Sequence, residues 1–156
     1  MSEYLDANIL IYHLSGVSND CTDFLDRVAD GEIEAYVTTI IVAEVLHRRM
    51  MTEALDKSLI SPGQPIKKLK ANPLIITALT DYITDIEDLL KLPLTVLEIT
   101  LADITASHTL RQSYGLFVND SINLACAERH AIADIVTRDN DFTSVSGITV
   151  WQPTDI

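Results

Sequence analysis

The chain has 156 residues, 47% of them hydrophobic, with only 5 glycines and 5 prolines, so it can bury one full core and is neither disordered nor fibrous in composition. Its 23 acids outnumber 11 lysines and arginines, giving a net charge of −12. That balance argues against a general nucleic-acid binder, because phosphate needs cations, and suits cation binding, basic partners or plain solubility.

EYLDA (3–7) is predicted as a short strand, followed by an amphipathic helix from about Asn8. Ser18 caps a second predicted helix, with Cys21, Phe24, Leu25 and Val28 as its apolar stripe and Gly31 as its stop. The alternating, β-branched IEAYVTT (33–39) is expected to be the second strand, and residues 39–57 a long helix. SPGQP (61–65) is a loop by its Pro-Gly content. Residues 66–91 follow as helix, broken at Asn72-Pro73 and stopped at Pro93.

TVLEI (95–99) is the third expected strand, and Leu101 to Tyr114 a helix closing at Gly115. Asn119 to His130 is a further helix, ADIVT (133–137) the fourth strand and GITVW (147–151) the fifth. Strands alternating with helices imply an α/β domain over residues 1–156, with a parallel sheet covered on both faces. Ligands of such sheets bind at the carboxyl ends of the strands. No apolar run is long enough for a membrane span and no signal pattern opens the chain. Cys21 and Cys126 fit no metal spacing, so a reduced, cytoplasmic setting is expected.

The acids at those strand ends need an explanation. Asp6 ends the first strand, Asp120 opens the helix NDSINLACAERH, and Asp139 and Asp141 follow the fourth strand in IVTRDNDF. Glu44 lies inside IIVAEVLHR, on the helical face of Ile40 and Ile41. Each has an ordinary reading taken singly: helix cap for Asp6 and Asp120, turn former for Asp139 and Asp141, exposed rim residue for Glu44. Together they are harder to dismiss. Two carboxylates at ~4 Å repel by roughly 4 kcal/mol at an effective dielectric of ~20. Oxygen-only ligands without His or Cys select Mg²⁺ or Mn²⁺, ions that activate water and bind phosphate oxygens, so phosphodiester hydrolysis is the chemistry implied.

LDANILIY, AEVLHR, NDSINLACA and TRDNDF, in this order, resemble the PIN domain, and specifically the VapC-type toxin ribonucleases. The resemblance spans nearly the whole chain and is weakest over residues 58–93. It implies a three-layer α/β/α sandwich with a central, mostly parallel sheet, and a Mg²⁺- or Mn²⁺-dependent endoribonuclease. It makes Asp6, Glu44, Asp120 and Asp139 the catalytic, metal-binding acids, and Asp141 an additional acid. Asn8 and Thr137 fall where polar side chains would orient carboxylates or water. An RNA substrate, a protein antitoxin and a homodimer are the partners implied, the apolar 74–90 segment offering one shared surface.

The substrate side departs from expectation, because cations are sparse. Arg48, Arg49, Lys67, Lys68 and Arg138 are the candidate RNA contacts, although each run also reads as a solvated face. The four histidines are scattered, and no P-loop, GxGxxG or Ser-His-Asp pattern occurs. A haloacid-dehalogenase-like phosphatase would want a second aspartate at position 8, where Asn8 stands. A PIN-like scaffold that binds without cleaving is the alternative from another functional class.

Overall fold

The computed structural model describes residues 2–156. Strand β1 (Ser2–Leu5) leads through Asp6 into helix α1 (Ala7–Leu14), whose Ala7, Ile9, Leu10 and Ile11 are buried. Helix α2 (Asn19–Ala29) starts where expected, because the Ser18 hydroxyl accepts from the Cys21 amide, and Gly31 follows its end at positive φ. Strand β2 (Glu34–Thr38) then turns directly into the long helix α3 (Thr39–Asp56), capped by Thr38.

Three short helices follow: α4 (Pro65–Ala71), α5 (Pro73–Ala78) and α6 (Asp81–Leu89). After them come β3 (Leu94–Leu97), α7 (Leu101–Tyr114), α8 (Val118–Arg129), β4 (Asp134–Val136), a 3₁₀ turn over Asn140–Ser144 and β5 (Thr149–Trp151).

The strands form an all-parallel sheet in the order β3-β2-β1-β4-β5. The chain runs outward from β1 to β3, then returns to add β4 on the other side of β1. Right-handed crossovers put the helices linking β1, β2 and β3 on one face and α7–α8 on the other, which makes three layers. Tyr4, Leu5, Ile9, Leu10, Val37, Ile41, Leu124, Ile135 and Val136 fill the core between them. The reversal of strand order falls between β1 and β4, and the crevice above their carboxyl ends is where this topology offers a site.

Residues 58–93, chemically the least informative stretch, divide between two clusters: Ile86 and Leu89 join the main core, and Ile60, Leu69 and Leu79 build a satellite core against α3. Ala54, Ile60, Leu69 and Leu79 are buried there, with Met50, Met51, Ile75 and Tyr82 packed against them. The sequence suggests a break at Asn72-Pro73 alone. The structure adds a second at Leu79-Thr80, where Leu79 is extended and α6 begins without a side-chain cap from Thr80. Glu53 supplies the missing acceptor from α3: its carboxylate takes the amides of Thr80 (3.0 Å) and Tyr82 (2.9 Å) and the Lys57 ammonium (2.6 Å).

The last three strands are shorter than the apolar runs suggest. Strand β4 stops at Val136, although the Thr137 amide still donates to the Trp151 carbonyl at 3.0 Å, and the Thr137 hydroxyl donates to Asp6.

Candidate active site

Asp6 stands immediately beyond β1, with its amide still in the ladder, donating to the Val136 carbonyl at 3.0 Å. One carboxylate oxygen, Oδ1, accepts from the Ala7 amide at 2.7 Å and so caps α1. The other, Oδ2, accepts from Asn8 Nδ2 and from the Thr137 hydroxyl, both at 2.6 Å. One oxygen of Asp6 thus caps α1 and the other ties β1 to the end of β4.

Asn8 and Thr137 knit the β1 and β4 ends together. Asn8 Oδ1 accepts from the Arg138 amide (3.0 Å), and its Nδ2 also lies 3.3 Å from the Thr137 hydroxyl. Thr137 Oγ1 in turn accepts from the Asp139 amide at 2.9 Å. Asp139 then turns the chain: its Oδ1 accepts from the Asp141 amide (2.8 Å), capping the 3₁₀ turn. Asp141 is exposed, farther along that turn.

Glu44 and Asp120 approach from the helices. They line one open cleft of about 840 Å³ between α3, which contributes Glu44, His47 and Arg48, and the start of α8, which contributes Phe117 and Asp120. Asp120 does not open its helix, as the sequence suggests. The N-cap position is Phe117, and Asp120 is the third helical residue after it. Arg48 Nη1 lies 3.7 Å from Glu44 Oε1, one helical turn away.

Electrostatics tie these residues into one group. Burial raises the pKa of Asp120, and the charges of Asp6, Asp139, Glu44 and Asp141 raise it further, to about 6. Asp6 is also raised, by burial and then by Glu44 and Asp139, against the lowering effect of the Thr137 and Ala7 hydrogen bonds. Asp120 therefore senses the charges of four other acids, and Asp6 those of two, near the β1/β4 switch point.

That donor set suits a hard divalent cation, which would remove the repulsion at Asp120. Among the described residues, no three Asp, Glu, His or Cys side chains already stand around a common point as ligands would. Glu44 and Asp120 line the cleft, while Asp6 and Asp139 are held by hydrogen bonds at the ends of β1 and β4.

Sequence reasoning missed a polar layer next to these acids. Thr38 donates to Asn123 Oδ1 at 2.6 Å in a fully buried contact. The buried Tyr4 phenol is close enough to Asp6 and Asp120 for their charges to add to the rise that burial causes in its pKa. Asn123 carried a readable signal: it stands one helical turn after Asp120, a polar residue inside an apolar run.

The basic candidates divide. Arg48 faces the cleft. Arg49 does not, because its guanidinium holds Asp85 (2.8 Å) and Ser15 (3.3 Å), fastening α3 to α6. Lys68 donates to Ser61 and Pro62 and closes the loop before α4. Lys67 is exposed on α4, and Arg138 Nε donates to the Ile156 backbone oxygen at 3.1 Å.

The chain matches the PIN domain family over residues 4–148. It is similar to Ribonuclease VapC2 of Methanocaldococcus jannaschii, 22% identical over 150 residues that cover 96% of this chain and 92% of that protein. Its fold is similar to VapBC2 from Rickettsia felis bound to a DNA fragment from the promoter (TM-score 0.65, 14% identity, 98% and 99% of the two chains). It is also similar to a toxin–antitoxin complex from Klebsiella pneumoniae (TM-score 0.58, 23% identity, 99% of each chain). At these identities the structural likeness shows the fold.

Proposed function

This chain belongs to the PIN domain family, and from that premise we propose that it is a Mg²⁺- or Mn²⁺-dependent endoribonuclease, acting as a single domain. The observation that carries the reading is the gathering of acids around the β1/β4 ends, with Glu44 and Asp120 in one cleft and Asp6 and Asp139 held beside it, close enough that their charges add to the rise burial causes at Asp120. Such a cluster is unfavourable for the fold alone and suits a site built to hold a cation.

Asp6, Glu44, Asp120 and Asp139 would hold the metal, with Asp141 at the margin. When bound, the ion would supply a lowered water pKa and neutralisation of charge on the phosphodiester. The protein's part is orientation. Asp6 is fixed through both oxygens by Ala7, Asn8 and Thr137, and Asp139 is fixed through the Asp141 amide. Asn8 and Thr137 keep β1 and β4 in register at their tips. Arg48 stands where it can leave Glu44 and meet a phosphate oxygen entering the cleft.

By likeness to the toxin–antitoxin complexes, the chain is proposed to be the toxin of such a pair, restrained by a protein antitoxin and acting on cytoplasmic RNA. The 74–90 segment turns part of its apolar surface into the satellite core and leaves Leu74, Ile83 and Leu90 exposed, a surface suited to a homodimer. Light scattering that finds only monomer at tens of micromolar, roughly the range where weak dimers dissociate, would remove the dimer from this proposal.

The test of the activity is direct. Purified protein is expected to cut single-stranded RNA with Mg²⁺ or Mn²⁺ and to stop in EDTA, and Asp6→Asn is expected to be inactive yet folded. Cleavage undiminished in EDTA overturns the metal. RNA binding without cleavage under any divalent ion would leave a scaffold.

A further inference from the structure

Phe117 is a residue that the fold does not explain. The residue is 76% exposed. It also occupies the N-cap position of α8 without making a side-chain cap, where Ser, Asp or Asn would satisfy an amide that Phe cannot. Neither burial nor local structure selects phenylalanine there. Of the exposed large apolar residues, Phe117 and its neighbour Val118 share the cleft with Glu44, Arg48 and Asp120, and Phe117 is the aromatic one of the two. The ring and the Asp120 carboxylate leave the same first turn of α8.

The charge of the molecule sharpens the question. With 11 lysines and arginines against 23 acids, the chain has little capacity to hold a nucleic-acid backbone by ion pairing. The guanidinium in the cleft, Arg48, is already partly neutralised by Glu44. Affinity for a single strand has a second source that needs no positive charge, the stacking of a base on an aromatic face. An exposed aromatic ring at the mouth of a phosphodiester-cleaving crevice is suited to that contact.

Resting on the reading of the crevice as a ribonuclease site, we propose that Phe117 is a substrate-positioning residue that stacks the nucleobase adjoining the scissile phosphate. It would thereby select unpaired over duplex RNA, since a base inside a duplex offers no free face. Arg48, on the opposite wall, would meet the backbone of the same nucleotide. The contact is non-ionic and tolerant of base identity, with purines favoured for their larger face.

The experiment uses the full chain carrying Asp6→Asn to suppress turnover, and a fluorescent single-stranded oligoadenylate beside the same backbone lacking bases. Phe117→Ser is expected to raise the Kd for oligoadenylate by roughly 5- to 100-fold, the range for losing one base–aromatic stack, and to leave the abasic strand unchanged. Phe117→Trp is expected to retain or tighten binding. Serine is a good N-cap, so the melting temperature of Phe117→Ser should stay level or rise, which separates loss of contact from loss of fold.

In the otherwise wild-type chain, the same substitution should raise KM for single-stranded RNA far more than it lowers kcat. Equal losses on both strands, or none on either, overturn the stacking role. A fall in molecular mass on light scattering with binding unaltered would make Phe117 part of a self-association surface and also overturn it. Failure of the Phe117-intact chain to bind any RNA would overturn the ribonuclease reading itself, a result distinct from binding that ignores Phe117.

Discussion

Two sets of carboxylates in this molecule have opposite fates. Glu53 and Asp103 are almost fully buried, at 4% and 2% exposure. Burial works to raise Glu53, but Lys57 and the amides of Tyr82 and Thr80 outweigh it and hold the pKa down to about 2. Arg129, pairing through Nε at 2.7 Å and Nη2 at 3.0 Å, holds Asp103 to about 2 despite burial, helped by Thr100. Asp6 and Asp120 keep more contact with solvent, and burial, with neighbouring carboxylates adding to it, moves their pKa values upward. Burial penalises the charge in both sets; the partners decide whether that penalty is offset. The first set is satisfied within the protein, and the second is left with like charges that protonation or a bound cation would offset.

The comparison breaks most sharply at the site itself. Asp6→Asn or Asp139→Asn is expected to lower cleavage by more than the ~10- to 100-fold that loss of an outer-shell partner typically costs, with the urea midpoint unchanged or raised. Initial rates beside equilibrium unfolding would check this. A variant that loses stability and activity together would place these acids in the first set.

Glu53→Gln should do the reverse. A carboxylate held from 4.5 to about 2 represents roughly 3 kcal/mol of stability, and losing it should loosen α6 from α3 while the rate per folded molecule persists. The stabilisation from a depressed pKa is present above about 4.5 and is lost as pH falls toward about 2. Asp120 has the opposite sign. Its raised pKa favours the folded state below the ordinary carboxyl value of 3.8, and that advantage is lost as pH rises through about 6. Metal-free protein should therefore melt at lower temperature on both sides of a maximum. Mn²⁺ or Asp120→Asn should flatten the upper limb alone, by about 1–2 kcal/mol after allowing for solvent screening.

Thr137→Val sharpens the comparison within the site. It removes a donor from Asp6 and an acceptor from the Asp139 amide at constant volume. A loss of about 10- to 100-fold in activity with about 1–2 kcal/mol in stability is expected. The smallest effect should come from Asp141→Asn. Asp141 is exposed and sits beyond the residue that caps the turn, so the Mg²⁺ titration should shift upward with a modest loss of rate. Equal losses for Asp139→Asn and Asp141→Asn would erase that ranking.

What could be read from sequence was whatever is encoded locally. Helix α7 begins and ends as expected because Thr100 and Asp103 form a capping box and Gly115 adopts the left-handed backbone. Asp6, Asp120 and Asp139 could be located from strand ends and helix starts. The break before α6 could not, since its cap is Glu53, far back in the chain. The same limit applies to the cations. Arg49 and Lys68 looked available for RNA because Asp85 and the Ser61-Pro62 backbone, which occupy them, are neighbours only once folded. The Thr38–Asn123 contact, made across the sheet end, was hidden for that reason too.

The clasp of Asn8, Thr137 and Arg138 over the ends of β1 and β4 has a consequence for synthesis. Its two halves are 129 or more residues apart, and β4 is the strand that sits directly beside β1. Helices α1–α3 can form while the chain is still short, but Asp6 gains its Thr137 hydroxyl, and Asp139 arrives, only after that late segment has cleared the ribosome. A ribonuclease of this design would be unable to cut the message encoding it until β4 has emerged. Ribosome-bound chains halted before residue 134 are accordingly expected to leave RNA intact, with cleavage appearing when β4 is released.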